Sequence, residues 1–99
     1  MGVRENKIEK YLHKEVEKLG GTTRKWVSPG YDGVPDRLVF VTGLPIFLIE
    51  VKTVDGVLSE VQRREHARLK EFGCAVYTVY GSQGVDDFIY GVRFKMGLE

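Results

Sequence analysis

The sequence predicts an α/β fold, a mixed sheet with helices packed on it in two or three layers, in the order α-β-β-β-α-β-α. Three observations predict it. Apolar residues recur at helical spacing near the N-terminus and again between residues 59 and 72. Short β-rich runs alternate with them, and glycine or proline separates most of the runs.

The elements follow in order. Arg4 to Leu19 reads as a helix, with Ile8, Leu12, Val16 and Leu19 on one stripe. Gly20-Gly21 stops it. Thr22 to Ser28 is β-rich through Thr22, Thr23, Trp26 and Val27, and Pro29 to Gly33 is loop. Arg37 to Val41 and Ile46 to Val51 flank Thr42-Gly43-Leu44-Pro45 as a hairpin. Pro45 belongs at a strand start or edge, since it donates no ladder bond. Asp55-Gly56 makes a further turn. Ser59 to Phe72 is the second helix, opened by the capping-box pattern Ser59-Glu60-Val61-Gln62 and closed by Gly73. Cys74 to Tyr80 is a strand. Ser82 to Gly91 reads as a last short helix with Val85, Phe88 and Ile89 on one face, and Arg93 to Glu99 as a tail. The second helix is a crossover that makes the strands before and after it parallel.

A chain of 99 residues argues for one domain, 1–99, with a thin core that pairing with a second copy would enlarge. Hydrophobic residues at 42% and charged residues at 29% fit a globular chain. The longest apolar run, Leu44 to Ile49, is broken by Pro45 and too short to span a bilayer. The charged stretch Met1 to Tyr11 does not read as a secretory signal. The single Cys74 excludes an intramolecular disulfide and a cysteine zinc site, so a reducing cytosol is the expected setting. Net charge is only +1, so bulk charge does not itself call for nucleic acid.

One constellation stands out. Glu50 and Lys52 are two apart in a strand and therefore share a face with Leu48 but not with Ile49. Buried unpaired, each would be costly; they must pair, bind an ion or lie at a rim. Asp36 opens the preceding strand. In a hairpin centred near Gly43 it comes opposite Glu50, although a slip of one residue would change that. Adjacent carboxylates favour a shared proton or a cation, and a hard divalent ion suits such oxygens, with the Val51 carbonyl as a further ligand. Glu5 extends the stripe of the first helix toward the sheet and supplies a third candidate acid.

Gly33-Val34-Pro35-Asp36, then Ile49-Glu50-Val51-Lys52, then Ser59 and Gln62, with Glu5 on the first helix, resemble the PD-(D/E)xK nuclease superfamily. More narrowly, the pattern resembles the virus-type replication-repair nuclease family, VRR-NUC, over roughly residues 4 to 92. The resemblance implies a restriction-endonuclease-like αβββαβ core. It implies an Mg²⁺- or Mn²⁺-dependent endonuclease acting on DNA, with Asp36, Glu50 and the Val51 carbonyl on the metal. It also implies that Lys52 is the catalytic lysine, Glu5 the helical acid that supports the metal, and Gln62 the helical glutamine of the site. Short members of the family imply a homodimer acting on branched DNA such as Holliday junctions. The expected setting is the cytosol, which for a phage protein is that of its host. One departure is Glu65, on the stripe of Leu58, Val61, Leu69 and Phe72, where a large apolar residue belongs.

Blander readings stand beside these. Glu50 and Lys52 alone also describe a surface ion pair, Glu5 a solvated acid at a helix start, and Gln62 a capping residue. His13 and His66, on charged helices, are expected in solvent. So are Lys7, Lys10, Lys14 and Lys18 with the interleaved Glu9, Glu15 and Glu17. Arg24, Lys25, Arg63 and Arg64 flank the site in sequence and are candidate phosphate contacts. Trp26 and Tyr31 could stack on bases, with packing the commoner use. Asp86 and Asp87 read as helix-start charge. Three functions compete: an endonuclease for structured DNA; a non-catalytic nucleic-acid-binding module or nuclease subunit of a larger repair or replication complex; and a sequence-specific restriction-type enzyme, which the short chain disfavours.

Overall fold

A computed structural model describes residues 3–98 of the protein. Helix α1 (Val3–Lys18) leads into β1 (Thr22–Lys25), β2 (Arg37–Phe40) and β3 (Phe47–Lys52), then α2 (Glu60–Glu71), β4 (Ala75–Tyr80) and α3 (Gly81–Lys95). The strands form one sheet in the order β1-β2-β3-β4. The first two pairings are antiparallel and the third is parallel, so the sheet is mixed. Two strands that run the same way need a long crossover, and α2 supplies it. The expected architecture and element order are both present.

The three layers follow from period two in β3. Phe47, Ile49 and Val51 join a core with Leu12 and Val16 of α1 and Val85, Ile89 and Val92 of α3. Leu48, Glu50 and Lys52 must then face the other way, toward α2. Thus α1 and α3 cover one face and α2 covers part of the second. The hydroxyl of Tyr11 on α1 bonds Asp86 on α3 and ties the two covering helices together. No helix among the described residues is long and apolar enough to cross a membrane.

Four expectations need correction. β1 stops at Lys25, short of Ser28. The Trp26 amide makes one last bond to the Asp36 carbonyl, and the next residue of the partner chain segment is Pro35, which has no N–H to offer. α3 runs on to Lys95, past Gly91 and into the expected tail. Val92 is buried and Met96 packs on the core, so Val85, Ile89, Val92 and Met96 continue one face at helical spacing. Because α3 starts at Gly81, Asp86 and Asp87 lie beyond its first turn; Asp86 bonds Tyr11 and Asp87 bonds Gln83. On α2 the inward residues are Gln62, His66 and Leu69, whereas Val61 and Phe72 are exposed. Glu65 is half-buried beside that inward face. The helix is turned so that polar side chains, rather than the Val61–Phe72 stripe, meet the sheet, and an apolar residue at 65 is not required.

Candidate active site

The hairpin register builds the centre of the site. Arg37 pairs with Ile49, Leu38 with Leu48 and Val39 with Phe47. Continued by one step, this register sets Asp36 opposite Glu50, on the face that also carries Leu38, Leu48 and Lys52. The turn closes at Gly43, whose φ of +84° suits glycine. An Asp36 carboxylate oxygen accepts the Val51 amide at 2.8 Å. In an extended strand the N–H and C=O of one residue point to the same neighbour, so the Val51 carbonyl also lies on the Asp36 side.

Glu50 is 2% exposed, an unusual position for a carboxylate. Gln62 Nε2 donates to its Oε2 at 3.1 Å, and Lys52 Nζ stands 3.8 Å from the same oxygen. Gln62 also forms the capping box: its Oε1 accepts the Ser59 amide, and its own amide donates to the Ser59 hydroxyl. One end of its side-chain amide thus caps α2 and the other reaches Glu50. The cap fixes where α2 begins, and that start delivers Gln62 to Glu50.

The loop that carries Asp36 is pressed against the same turn of α2. Gly33 has a φ of +87°, and a Cβ there would meet the Val61 carbonyl oxygen at 2.7 Å. Only glycine allows this approach without displacement of α2. The Gly33-Val34-Pro35-Asp36 segment is thus docked on the helix turn that supplies Gln62.

Electrostatically the two acids are in conflict. Burial pushes the Asp36 carboxyl up to about 7, and the nearby charges of Glu50 and Glu9 add to the shift against the opposing Val51 bond. A buried carboxyl whose ionisation is opposed by burial and by neighbouring acids is a ready site for a cation. Oε1 of Glu50 is buried without a hydrogen-bond partner, which leaves acceptor capacity for one. A hard ion such as Mg²⁺ binds through one or two carboxylates and keeps several waters. The donor set of Asp36, Glu50 and the Val51 carbonyl fits that demand. Glu5 is half-buried in the first turn of α1. Among the described residues no group of three or more His, Cys, Asp or Glu is close enough to hold an ion, so Glu5 does not complete a three-acid cluster.

Two buried neighbours overturn the expectation that they lie in solvent. Glu9, expected in solvent, is 2% exposed. It accepts Arg37 Nε at 2.8 Å and stands 3.9 Å from Lys25 Nζ, on the α1 face behind Asp36. His66, also expected in solvent, is 4% exposed, and its Nε2 lies 3.5 Å from Glu50 Oε1. The signal for His66 was present: it stands four residues after Gln62 and so on the same helix face. The signal for Glu9 was weaker, one acid among many on a charged helix. His13 is not free in solvent either, since it bonds the Thr23 hydroxyl at 2.6 Å and pairs with Glu17.

The basic candidates are distributed unevenly. Arg24 pairs with Leu38 across β1 and β2, which puts it on the face of Asp36 and Glu50; its guanidinium folds back on Thr22 and Thr23. Lys25 faces the other way, toward Glu9. Arg63 is exposed but engaged with Glu60 and the Leu58 carbonyl, and Arg64 is exposed on α2. Tyr31, at 65% exposure, projects from the loop before Asp36, while Trp26 is half-buried.

No protein-family model matches the chain. A relative named "Putative nuclease p44", from Acyrthosiphon pisum secondary endosymbiont phage 1, is 43% identical over 91 residues, covering 92% of this chain and 97% of its own. Among solved structures, a "VRR_NUC domain" superposes with a TM-score of 0.83 at 33% identity, covering 90% of this chain and 97% of the other. A "VRR_NUC domain protein" superposes with a TM-score of 0.71 over 92% of this chain and 88% of that one. At 12% identity the second likeness speaks for the fold alone.

Proposed function

Because the chain belongs to the VRR-NUC family of nucleases, we propose that it is a divalent-metal-dependent endonuclease that hydrolyses DNA phosphodiester bonds at structured sites such as four-way junctions, working as a homodimer. The observation that carries this reading is the cross-strand pair of Asp36 and Glu50. Burial, with the charges of Glu50 and Glu9 adding to it, pushes the Asp36 carboxyl up to about 7, and Lys52 is on the same face, 3.8 Å from Glu50.

In this reading Asp36, Glu50 and the Val51 carbonyl hold Mg²⁺ or Mn²⁺. Such an ion supplies positive charge to the scissile phosphate and acidity to the attacking water. Lys52 orients that water and stabilises the charge that gathers on the phosphate oxygens in the transition state. Gln62 keeps the Glu50 carboxylate fixed while substrate arrives. Arg24, on the open part of the same face, and the exposed Arg63 and Arg64 contact flanking phosphates without reading sequence. A symmetric junction needs two nicks, and one site per chain then calls for a two-fold pair.

The test is incubation of the protein with linear duplex, single-stranded, flap and four-way DNA, with Mg²⁺, Mn²⁺ or EDTA. The expected result is cleavage of the branched substrates in Mg²⁺ or Mn²⁺ and none in EDTA. Cleavage that persists in EDTA overturns the metal mechanism. Binding without cleavage of every substrate replaces the enzyme with a binding module. Gel filtration against standards tests the dimer.

A further inference from the structure

Oε1 of Glu50 and Nε2 of His66 are both buried, both lack a hydrogen-bond partner among the described residues, and face each other across 3.5 Å. Protein interiors seldom leave an acceptor and a possible donor unsatisfied side by side. The other oxygen of the same carboxylate already accepts from Gln62 at 3.1 Å. Gln62 and His66 are separated by one helical turn on the inward face of α2, so one rigid element presents both groups to one carboxylate.

We propose that His66 is a positioning residue for Glu50, its Nε2–H donating to Oε1 while Gln62 donates to Oε2. The inference rests on the metal-site reading above and extends it to the shell behind the ligand. A carboxylate has about four lone-pair directions, so one donor on each oxygen leaves room for an ion. Held at both oxygens, Glu50 cannot rotate about its terminal bond, and the ion meets an oriented ligand. Donors behind a metal-binding carboxylate typically alter metal affinity or activity by about 10- to 100-fold when removed. The arrangement also specifies where a ring proton sits: Nε2, which faces Oε1, carries one.

Two measurements test this. Nitrogen-15 NMR of the metal-free wild-type protein should show His66 protonated at Nε2; a ring protonated only at Nδ1 overturns the proposal. Calorimetric titration with Mn²⁺ should show His66→Phe, which keeps an aromatic ring but removes the donor, binding about 10- to 100-fold more weakly than wild type. His66→Gln, which restores a donor, should recover most of that loss. Circular dichroism establishes that the variants fold. Equal Mn²⁺ affinity in wild type and folded His66→Phe overturns the role of His66 and leaves the metal site standing. A wild-type protein that binds no Mn²⁺ overturns both. If His66→Phe does not fold, His66→Gln decides: retained affinity supports the proposal, and a loss of tenfold or more overturns it.

Discussion

Burial, with the charges of Glu50 and Glu9 adding to it, pushes the Asp36 carboxyl of the metal-free protein up from its ordinary 3.8 to about 7. Between those values the folded chain binds more protons at this group than the unfolded chain does. Its contribution to stability is therefore complete below pH 3.8 and is lost as pH rises through about 7. In EDTA, the urea midpoint of the wild type should fall from pH 5 to pH 8, and Asp36→Asn should flatten that slope; a slope unchanged by the substitution would contradict the assignment. Lys52 belongs to the chemistry more than to the fold. Lys52→Ala should keep Mn²⁺ binding but lower the cleavage rate at least about a hundredfold, by analogy with the loss of one preorganised charge stabiliser. Single-turnover kinetics beside calorimetry separates the two effects. The pairing of Asp36 with Glu50 could be read from sequence because both lie within one hairpin, where period two and a central glycine set the geometry. Glu9 and His66 could not, because their burial depends on how two helices are rotated against the sheet, and that rotation is decided by distant contacts.

At the scale of elements, α2 shows how a local rule can serve a distant site. The Ser59 hydroxyl accepts the Gln62 amide at 3.1 Å, and this cap sets the helix start that delivers Gln62 to Glu50. Ser59→Ala should destabilise the protein by about 1 kcal/mol, within the usual range for loss of a capping side chain, as measured by urea unfolding. A larger fall in Mn²⁺ affinity than in Ser59→Asp, which restores a capping oxygen, would trace the effect through Gln62. The boundaries of α2 were legible because its cap is a short sequence pattern. Its inward face was not: the apolar stripe of Val61 and Phe72 pointed to one orientation, while satisfaction of the buried Glu50 selected another. The underestimate of α3 has a similar origin, since Gly91 is a weak helix former on intrinsic grounds but is carried by Ile89 before it and Val92 after it, which with the partly buried Met96 continue one face.

Across the whole molecule, α1 and α3 close one side of the sheet around an apolar core, and the opposite side keeps its charged groups between β2, β3 and α2. Binding of an ion to the folded state alone must then add stability. Mn²⁺ at about one hundred times its dissociation constant should raise the unfolding free energy by about 2.7 kcal/mol, visible as a higher melting temperature. Asp36→Asn and Glu50→Gln should abolish that increment, and an equal increment in both variants would locate the ion elsewhere. The layer order was legible from the alternation of helical and strand periodicities, since each apolar face must find a partner. Which basic side chains turn toward the charged face was not, because Arg24 and Lys25 are sequence neighbours that a strand sends to opposite sides.

The same hairpin separates two kinds of length change. The tip at Thr42 to Pro45 is the end of the hairpin opposite Asp36 and Glu50, so extra residues spliced there lengthen the turn and leave the partnering of the strands intact. A single residue added within Arg37–Phe40 instead rotates Asp36 to the wrong side of the sheet. Indels in natural or engineered variants should therefore accumulate at the tip and be purged from the strand, and the tip is the position at which a foreign recognition peptide can be grafted while the catalytic geometry is preserved.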